Sequence, residues 1–404
     1  MAFNIFDENT QYMKGYKIQI FPTESQAKIL DTRFDLNIAI YNWTIEKEIE
    51  QYELYKAKQS DKKFLSYFDM IRLFTDFRAE NPWVLEMPYG SGTESIHRAI
   101  NAFEMFFKGE GNFPKFKSKK HLRKMSYGVR YDTMYFNNNM LRIEGFPRGE
   151  MIYTKWNSGF SGYYKDPNKP TFYSPVVSKD NFGRYFISFC LIKQKQLINY
   201  EPGYSNPIGI DLNVRDRFVC SNGYRSGSPN LTKLKRLRSR ADEYVQRDIK
   251  RIKKEARTKS LEFSSIERSK RATKRLNRLR KVNDKISNVV ENFIQCETNT
   301  ILAMKPTTIV MESLSVTDME KNRKVSKQMH HSNFSRCITV MKNKCNQRNI
   351  PFISAGKNFA SSQICSNCGS RKKIFSSKTY RCPVCGLVID RDLNASINLM
   401  KLAL

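Results

Sequence analysis

Nowhere do the 404 residues run to the ~18–20 consecutive apolar positions a membrane-spanning helix needs, which argues against a membrane partner. The opening residues, Met1-Ala2-Phe3-Asn4-Ile5-Phe6-Asp7-Glu8, lack the basic-then-apolar layout of an export signal, so a cytoplasmic protein is expected. Histidine is scarce, at four residues, which leaves little for a mechanism built on an imidazole base. Cysteines number nine, and five of them stand alone (Cys190, Cys220, Cys296, Cys337 and Cys345). An odd, scattered set fits a reduced protein rather than a disulfide framework. Low-complexity tracts and internal repeats are absent. Acidic charge is in deficit, with 39 Asp and Glu against 70 Lys and Arg, for a net charge of +31. Self-repulsion on that scale is relieved by a polyanion, and phosphate contacts make such binding steeply salt-dependent.

The length exceeds what one hydrophobic core usually serves, so at least two domains are expected. Residues 15–22 alternate apolar and polar as a half-buried strand does, and Pro22 stops them. Thr23-Glu24-Ser25-Gln26 then reads as a capping box, opening a helical stretch that runs to about Phe107. Between about 120 and 200, short runs of Tyr, Phe, Val and Ile alternate with Asn, Gly and Pro. Tyr127–Tyr131, Met140–Ile143, Met151–Tyr153 and Arg184–Ile192 predict antiparallel strands of a small β-barrel, with the helices inserted after its first strand. Beyond Glu201-Pro202-Gly203, two apolar strands each end on an acid: Pro207-Ile208-Gly209-Ile210-Asp211 and Thr307-Thr308-Ile309-Val310-Met311-Glu312. Between them lie basic helices. Residues 231–285 carry 21 Lys and Arg against 7 Asp and Glu, above an apolar stripe of Leu276, Leu279, Val282, Ile286, Val289 and Phe293. That combination predicts helices packed on one face and facing phosphate on the other.

Cys365-x-x-Cys368, thirteen residues, then Cys382-x-x-Cys385 has the spacing of a four-thiolate zinc ribbon. A closed site of this kind leaves no position for substrate, so one structural Zn²⁺ is expected, able to fold an insert too short for its own core. Lys372, Lys373, Lys378 and Arg381 around it suggest contact with the phosphate backbone. Asp390-Arg391-Asp392-Leu393-Asn394-Ala395 follows and places carboxylates at a helix start. Asp211, Glu312 and Asp392 thus lie in similar apolar settings. Three such acids suit two Mg²⁺ ions about 3.5–4 Å apart, held against a phosphodiester for in-line attack by water.

The order Asp, Glu, zinc ribbon, Asp resembles the TnpB family, transposon-encoded RNA-guided DNA endonucleases related to type V CRISPR effectors. The specific matches are Gly209-Ile210-Asp211, Ile309–Leu314, the ribbon and Asp390–Leu399. Phe21-Pro22-Thr23, Tyr41-Asn42-Trp43, Phe113–Lys117, Lys321–Lys324 and Ser361–Cys365 support them. The resemblance implies a multidomain α+β protein: a wedge β-barrel domain at 1–22 and 108–200, with a helical recognition lobe inserted at 23–107. An RNase H-like RuvC nuclease domain would occupy 201–360 and 388–404, with the zinc-ribbon insert at 361–387. It assigns the metal-binding catalytic acids to Asp211, Glu312 and Asp392, the last chosen over Asp390 because x-Asn-Ala follows it. It also implies a guide RNA from the transposon end, a double-stranded DNA target read through an RNA–DNA heteroduplex, and one chain per guide RNA in a prokaryotic cytoplasm, at the nucleoid when bound to target. The residues reading the target-adjacent motif would lie around 89–97 or 126–133.

Two positions depart from the family pattern. Asn213 stands where relatives often have Gly, and Asn tolerates the left-handed backbone of a tight turn. Phe293-Ile294-Gln295 replaces the usual Phe-Leu-His. Three other readings make different demands. A guide-RNA-dependent DNA-binding protein or repressor without cleavage would lack an acid; a transposase-type strand transferase would place Glu last and lack the ribbon. An inactive RNA-binding zinc protein would leave target DNA uncut.

Overall fold

Thr23 opens the first helix reciprocally, as its sequence predicts: its hydroxyl accepts the Gln26 backbone N–H (3.3 Å) and its own N–H donates to Gln26 Oε1 (3.1 Å). The computed structural model describes residues 6–119, 125–156, 172–201, 203–261, 266, 268–312, 333–356, 359–372 and 377–404. Ser313, Leu314, Lys321–Lys324 and Lys373, singled out above, lie outside these residues. The chain forms two compact units, Met13–Lys193 and Gln194–Leu404, the latter joined by Asp7–Tyr12. The break thus falls a few residues before the predicted boundary. Lys195 donates its N–H to the Thr10 carbonyl at 2.8 Å, which ties that short segment to the second unit.

In the first unit, helices α1 (Glu24–Lys56), α2 (Tyr67–Glu80) and α3 (Tyr89–Phe107) follow strand β1 (Gln11–Phe21). Six strands come after them: β2 (Met125–Gly128), β3 (Tyr135–Asn137), β4 (Met140–Arg142), β5 (Ile152–Lys155), β6 (Tyr173–Lys179) and β7 (Tyr185–Gln194). The seven pair in the order β2-β6-β7-β1-β5-β4-β3, and among the described residues β2 and β3 do not pair to close a barrel. The strand expected to reach Tyr131 stops at Gly128, and residues 131–133 form a 3₁₀ turn instead. Helices and sheet share one core: Leu30, Phe34, Ile40 and Phe74 join Tyr127, Val177, Ile187 and Leu191. Phe34 meets Tyr127 edge-on at 5.6 Å.

The second unit is built on strands β8 (Pro207–Asp211), β9 (Val219–Cys220), β10 (Thr308–Glu312) and β11 (Phe352–Ala355), paired in the order β11-β10-β8-β9. β10 runs parallel to both neighbours, and β9 is antiparallel to β8. Between β9 and β10 come the long basic helices α4 (Thr232–Thr258) and α5 (Lys270–Ala303); α6 (Phe334–Gln347) follows β10. Ile208, Ile210, Ile309 and Met311 form a core with Val290, Ile294, Ile301, Cys337 and Met341, so α5 and α6 cover one face of the sheet. The predicted α5 stripe is only half-buried; Val290 and Ile294, each one residue beyond a stripe position, are buried, as are Ala272, Thr298, Ile301 and Leu302. The hairpin β12 (Thr379–Arg381) with β13 (Val388–Asp390) leads into the final helix, α7 (Arg391–Met400), on the opposite face, where Leu399 joins Val310 and Ala355. Among the described residues no helix is long and apolar enough to cross a membrane.

Candidate active site and metal centre

Side chains alternate along a strand, so Ile208 and Ile210 enter the core under α5 and α6 while Gly209 and Asp211 face α7. The register pairs Val310 with Gly209 and Met311 with Ile210, which turns Glu312 to the same face as Asp211. With strands about 4.8 Å apart, two carboxylates stand side by side at the strand ends. Gly209 then lets α7 lie directly on β8. A Cβ there would collide with the Ser396 carbonyl oxygen and the Met400 amide nitrogen, backbone atoms that cannot swing aside.

Asp390 caps α7: its Oδ1 accepts the N–H groups of Asp392 and Leu393, both at 3.0 Å, and pairs with Arg225 Nη2 at 2.7 Å. The cap occupies Asp390, and Asp392, in the first turn, is the carboxylate brought toward Asp211. Burial pushes the Asp211 carboxyl up to about 8, and the negative charges of Glu312 and then Asp392 push the same way. Glu312 is also raised by burial, offset in part by the Ser361 hydroxyl, which donates to its Oε1. Asp392 Oδ2 accepts from the Asn213 amide, and Arg391 Nη2 lies 3.2 Å from Oδ1. Asn213 is itself fixed, since its carbonyl oxygen accepts the N–H groups of Arg215 (2.7 Å) and Asp216 (3.3 Å). Arg225 links the same loop to α7, pairing with Asp216 (3.1 Å) as well as Asp390.

Several supporting residues had no role assigned from the sequence. Buried Asn394 and Asn398, four apart and so on one helix face, both donate to the Ile364 carbonyl at 2.7 Å, and Asn398 also reaches the Ser361 carbonyl at 2.8 Å. They hold the strap that carries Ser361 to Glu312 and leads into the first metal-binding cysteine. The Asn-x-x-x-Asn spacing was visible in the sequence; the roles of Ser361 and Arg225 had no local signal.

The four cysteines converge as their spacing predicts. Their sulfur atoms all lie within 4.8 Å of one another, with Cys365 to Cys385 at 3.6 Å and Cys368 to Cys382 at 3.5 Å. Tetrahedral Zn–S bonds of about 2.3 Å put sulfurs about 3.8 Å apart, so the cluster fits a structural zinc ion. Gly369 and Gly386 turn the two knuckles with φ of 76° and 72°. The Cys385 backbone N–H, followed by the Ser370 hydroxyl, draws Cys382 down to about 5, prepared as a thiolate ligand. Among the described residues this is the only such group, so Asp211, Glu312 and Asp392 do not all come within 4.8 Å of one another.

Residues 334–399 match the family model "Cas12f1-like, TNB domain". A putative RNA-guided DNA endonuclease of Streptomyces pristinaespiralis is 23% identical over 398 residues, covering 98% of this chain and 90% of its own. TnpB-like protein L770 of Acanthamoeba polyphaga mimivirus is 23% identical over 427 residues, covering 97% and 74%. Over nearly its whole length the chain is thus similar to TnpB-like proteins. A solved Cas12f1–sgRNA–target DNA complex contains a chain of the same fold, with a TM-score of 0.59 at 13% identity, covering 94% of this chain and 83% of that one. The family-model match spans α6, the four cysteines and Asp392, while Asp211 and Glu312 lie N-terminal to it.

Proposed function

We propose that this chain is a TnpB-family RNA-guided DNA endonuclease in which Asp211, Glu312 and Asp392 hold two Mg²⁺ ions against a DNA phosphodiester. The observation that carries this reading is the arrival of three carboxylates from β8, β10 and α7 on one face of the sheet. Carboxylates contributed by separate elements are the donor set that a pair of Mg²⁺ ions at a phosphodiester needs. When bound, the ions supply charge neutralisation at the phosphate and at the attacking water. The rest is the chain's own work. Burial and the neighbouring carboxylates hold the Asp211 carboxyl up to about 8, so it would have to give up its proton to hold a divalent cation. Ser361 aims Glu312 and Asn213 aims Asp392.

The ribbon is structural and its hairpin runs straight into the Asp390 cap; exposed Lys372, Lys378 and Arg381 on it would touch phosphate. The helices at 23–107 serve as a recognition lobe, the strands around them as the wedge, and residues 201–360 with 388–404 as the RuvC-like nuclease domain. Guide RNA and target DNA are the partners, as the relatives' names suggest, and the site of action is the cytoplasm. The test is purified protein with its copurified RNA, Mg²⁺ and a plasmid bearing the cognate target. Wild type cuts and Asp211→Ala does not; an intact plasmid under both sinks the reading.

A further inference from the structure

Helices α4 and α5 enclose an open cleft of about 980 Å³ whose wall, among the described residues, carries seven Lys and Arg and no acid. Arg271, Lys274, Arg278 and Lys281 are exposed on one face of α5, at i, i+3, i+7 and i+10, a cationic rail about 15 Å long. Among the described residues none of the four has an ion-pair partner. On the opposite wall Tyr244 is 48% exposed, with the guanidinium groups of Arg275 and Arg247 5.2 and 5.7 Å from its ring. The floor differs in kind. Buried Asp248 accepts from Arg275 at 3.0 Å, an ion pair that locks the two helices together. Arg275 is thus paired beneath the cleft, while the four cations of the α5 rail have no ion-pair partner among the described residues.

We propose that this cleft binds an unpaired segment of the guide RNA, with the α5 rail on successive phosphates and one base stacked on Tyr244; the identity of the RNA rests on the function proposed above. Three features favour that ligand. A rail of cations one helical turn apart follows a backbone rather than a single phosphate group. An aromatic ring framed by guanidinium groups is a base-stacking platform, which a fully paired duplex would leave empty. Unpaired positive charge on this scale also calls for a resident polyanion, and the guide stays bound where target DNA comes and goes.

The test uses the full-length protein and the labelled RNA recovered from wild-type preparations. The quadruple variant Arg271→Gln, Lys274→Gln, Arg278→Gln, Lys281→Gln leaves the Asp248–Arg275 pair intact, and zinc content with helical signal verifies its fold. Affinity is expected to fall roughly a hundredfold near 0.15 M salt, and the slope of log K against log salt to drop by about 3. Tyr244→Ala should weaken binding about tenfold at unchanged slope, with Tyr244→Phe restoring it. Unchanged affinity and slope in the quadruple variant overturn the proposal, as does a variant that keeps RNA but loses target DNA. Neither readout needs cleavage, so failure of the nuclease reading would be seen separately.

Discussion

Asp211 is where the fold stores electrostatic cost. In the unfolded chain its carboxyl ionises near 3.8, and in the folded protein burial beside Glu312 and Asp392 lifts that to about 8. Between those values the folded state holds a proton the unfolded state has lost, so stability falls as pH rises and levels off above about 8. Asp211→Asn removes this dependence. In magnesium-free buffer the variant should melt higher than wild type at pH 8, by an amount on the order of a few kcal/mol, with a smaller gap at pH 6. It should cut nothing. A wild type whose melting temperature tracks the variant's across that range would mean the three carboxylates do not crowd one another. Asn213 poses a separate question, because its amide holds one oxygen of Asp392. Asn213→Ala should lower the cleavage rate roughly 10- to 100-fold and raise the Mg²⁺ concentration for half-maximal cutting, with RNA affinity unchanged. A uniform loss of rate at unaltered metal demand would make Asn213 merely a loop anchor.

At the scale of elements, the site depends on how closely α7 approaches β8, and Gly209 sets that distance. Gly209→Ala forces strand and helix apart, at a cost of about 1–3 kcal/mol, and carries Asp392 away from Asp211. Thermal melts should register the first effect and the Mg²⁺ requirement for cutting the second. The cap matters equally, because β13 of the metal-binding hairpin ends on Asp390. Cys382→Ser with Cys385→Ser should lose zinc by mass spectrometry and cleavage together, while the first unit's melting transition stays in place. Retained cutting without zinc would uncouple ribbon and helix. Much of this was legible in the chain. The capping box at Thr23, the two strands ending on acids and the paired Cys-x-x-Cys knuckles are local patterns, fixed by spacing a few residues long. The half-buried α5 stripe, the open order of the seven-stranded sheet and the bridges from Arg225 to Asp390 and from Ser361 to Glu312 depend on partners distant in the chain, which local periodicity does not encode. Gly209 is an intermediate case: the sequence displayed it beside Asp211, but only the crossing helix explains why nothing larger fits.

For the molecule as a whole, the net charge of +31 governs how stability responds to salt and to bound RNA. The excess falls most heavily on α4 and α5 in the second unit, so that unit should depend on its polyanion for stability more than the first. A ligand at a hundred times its dissociation constant adds about 2.7 kcal/mol to the state it binds. For a unit of some two hundred residues that is a rise of roughly 5–10 °C in its transition. Two compact units need not melt together, so the transitions must be followed separately, with zinc release marking the second. Copurified RNA added in excess should raise the zinc-linked transition at 0.05 M salt and leave the other nearly unmoved. At 0.5 M salt the gain should fade, because the contacts release counterions and lose their advantage as bulk salt rises. A gain that persists undiminished at high salt would shift the weight of recognition from the cationic rail to stacking and hydrogen bonds, and the charge on α4 and α5 would then need another explanation.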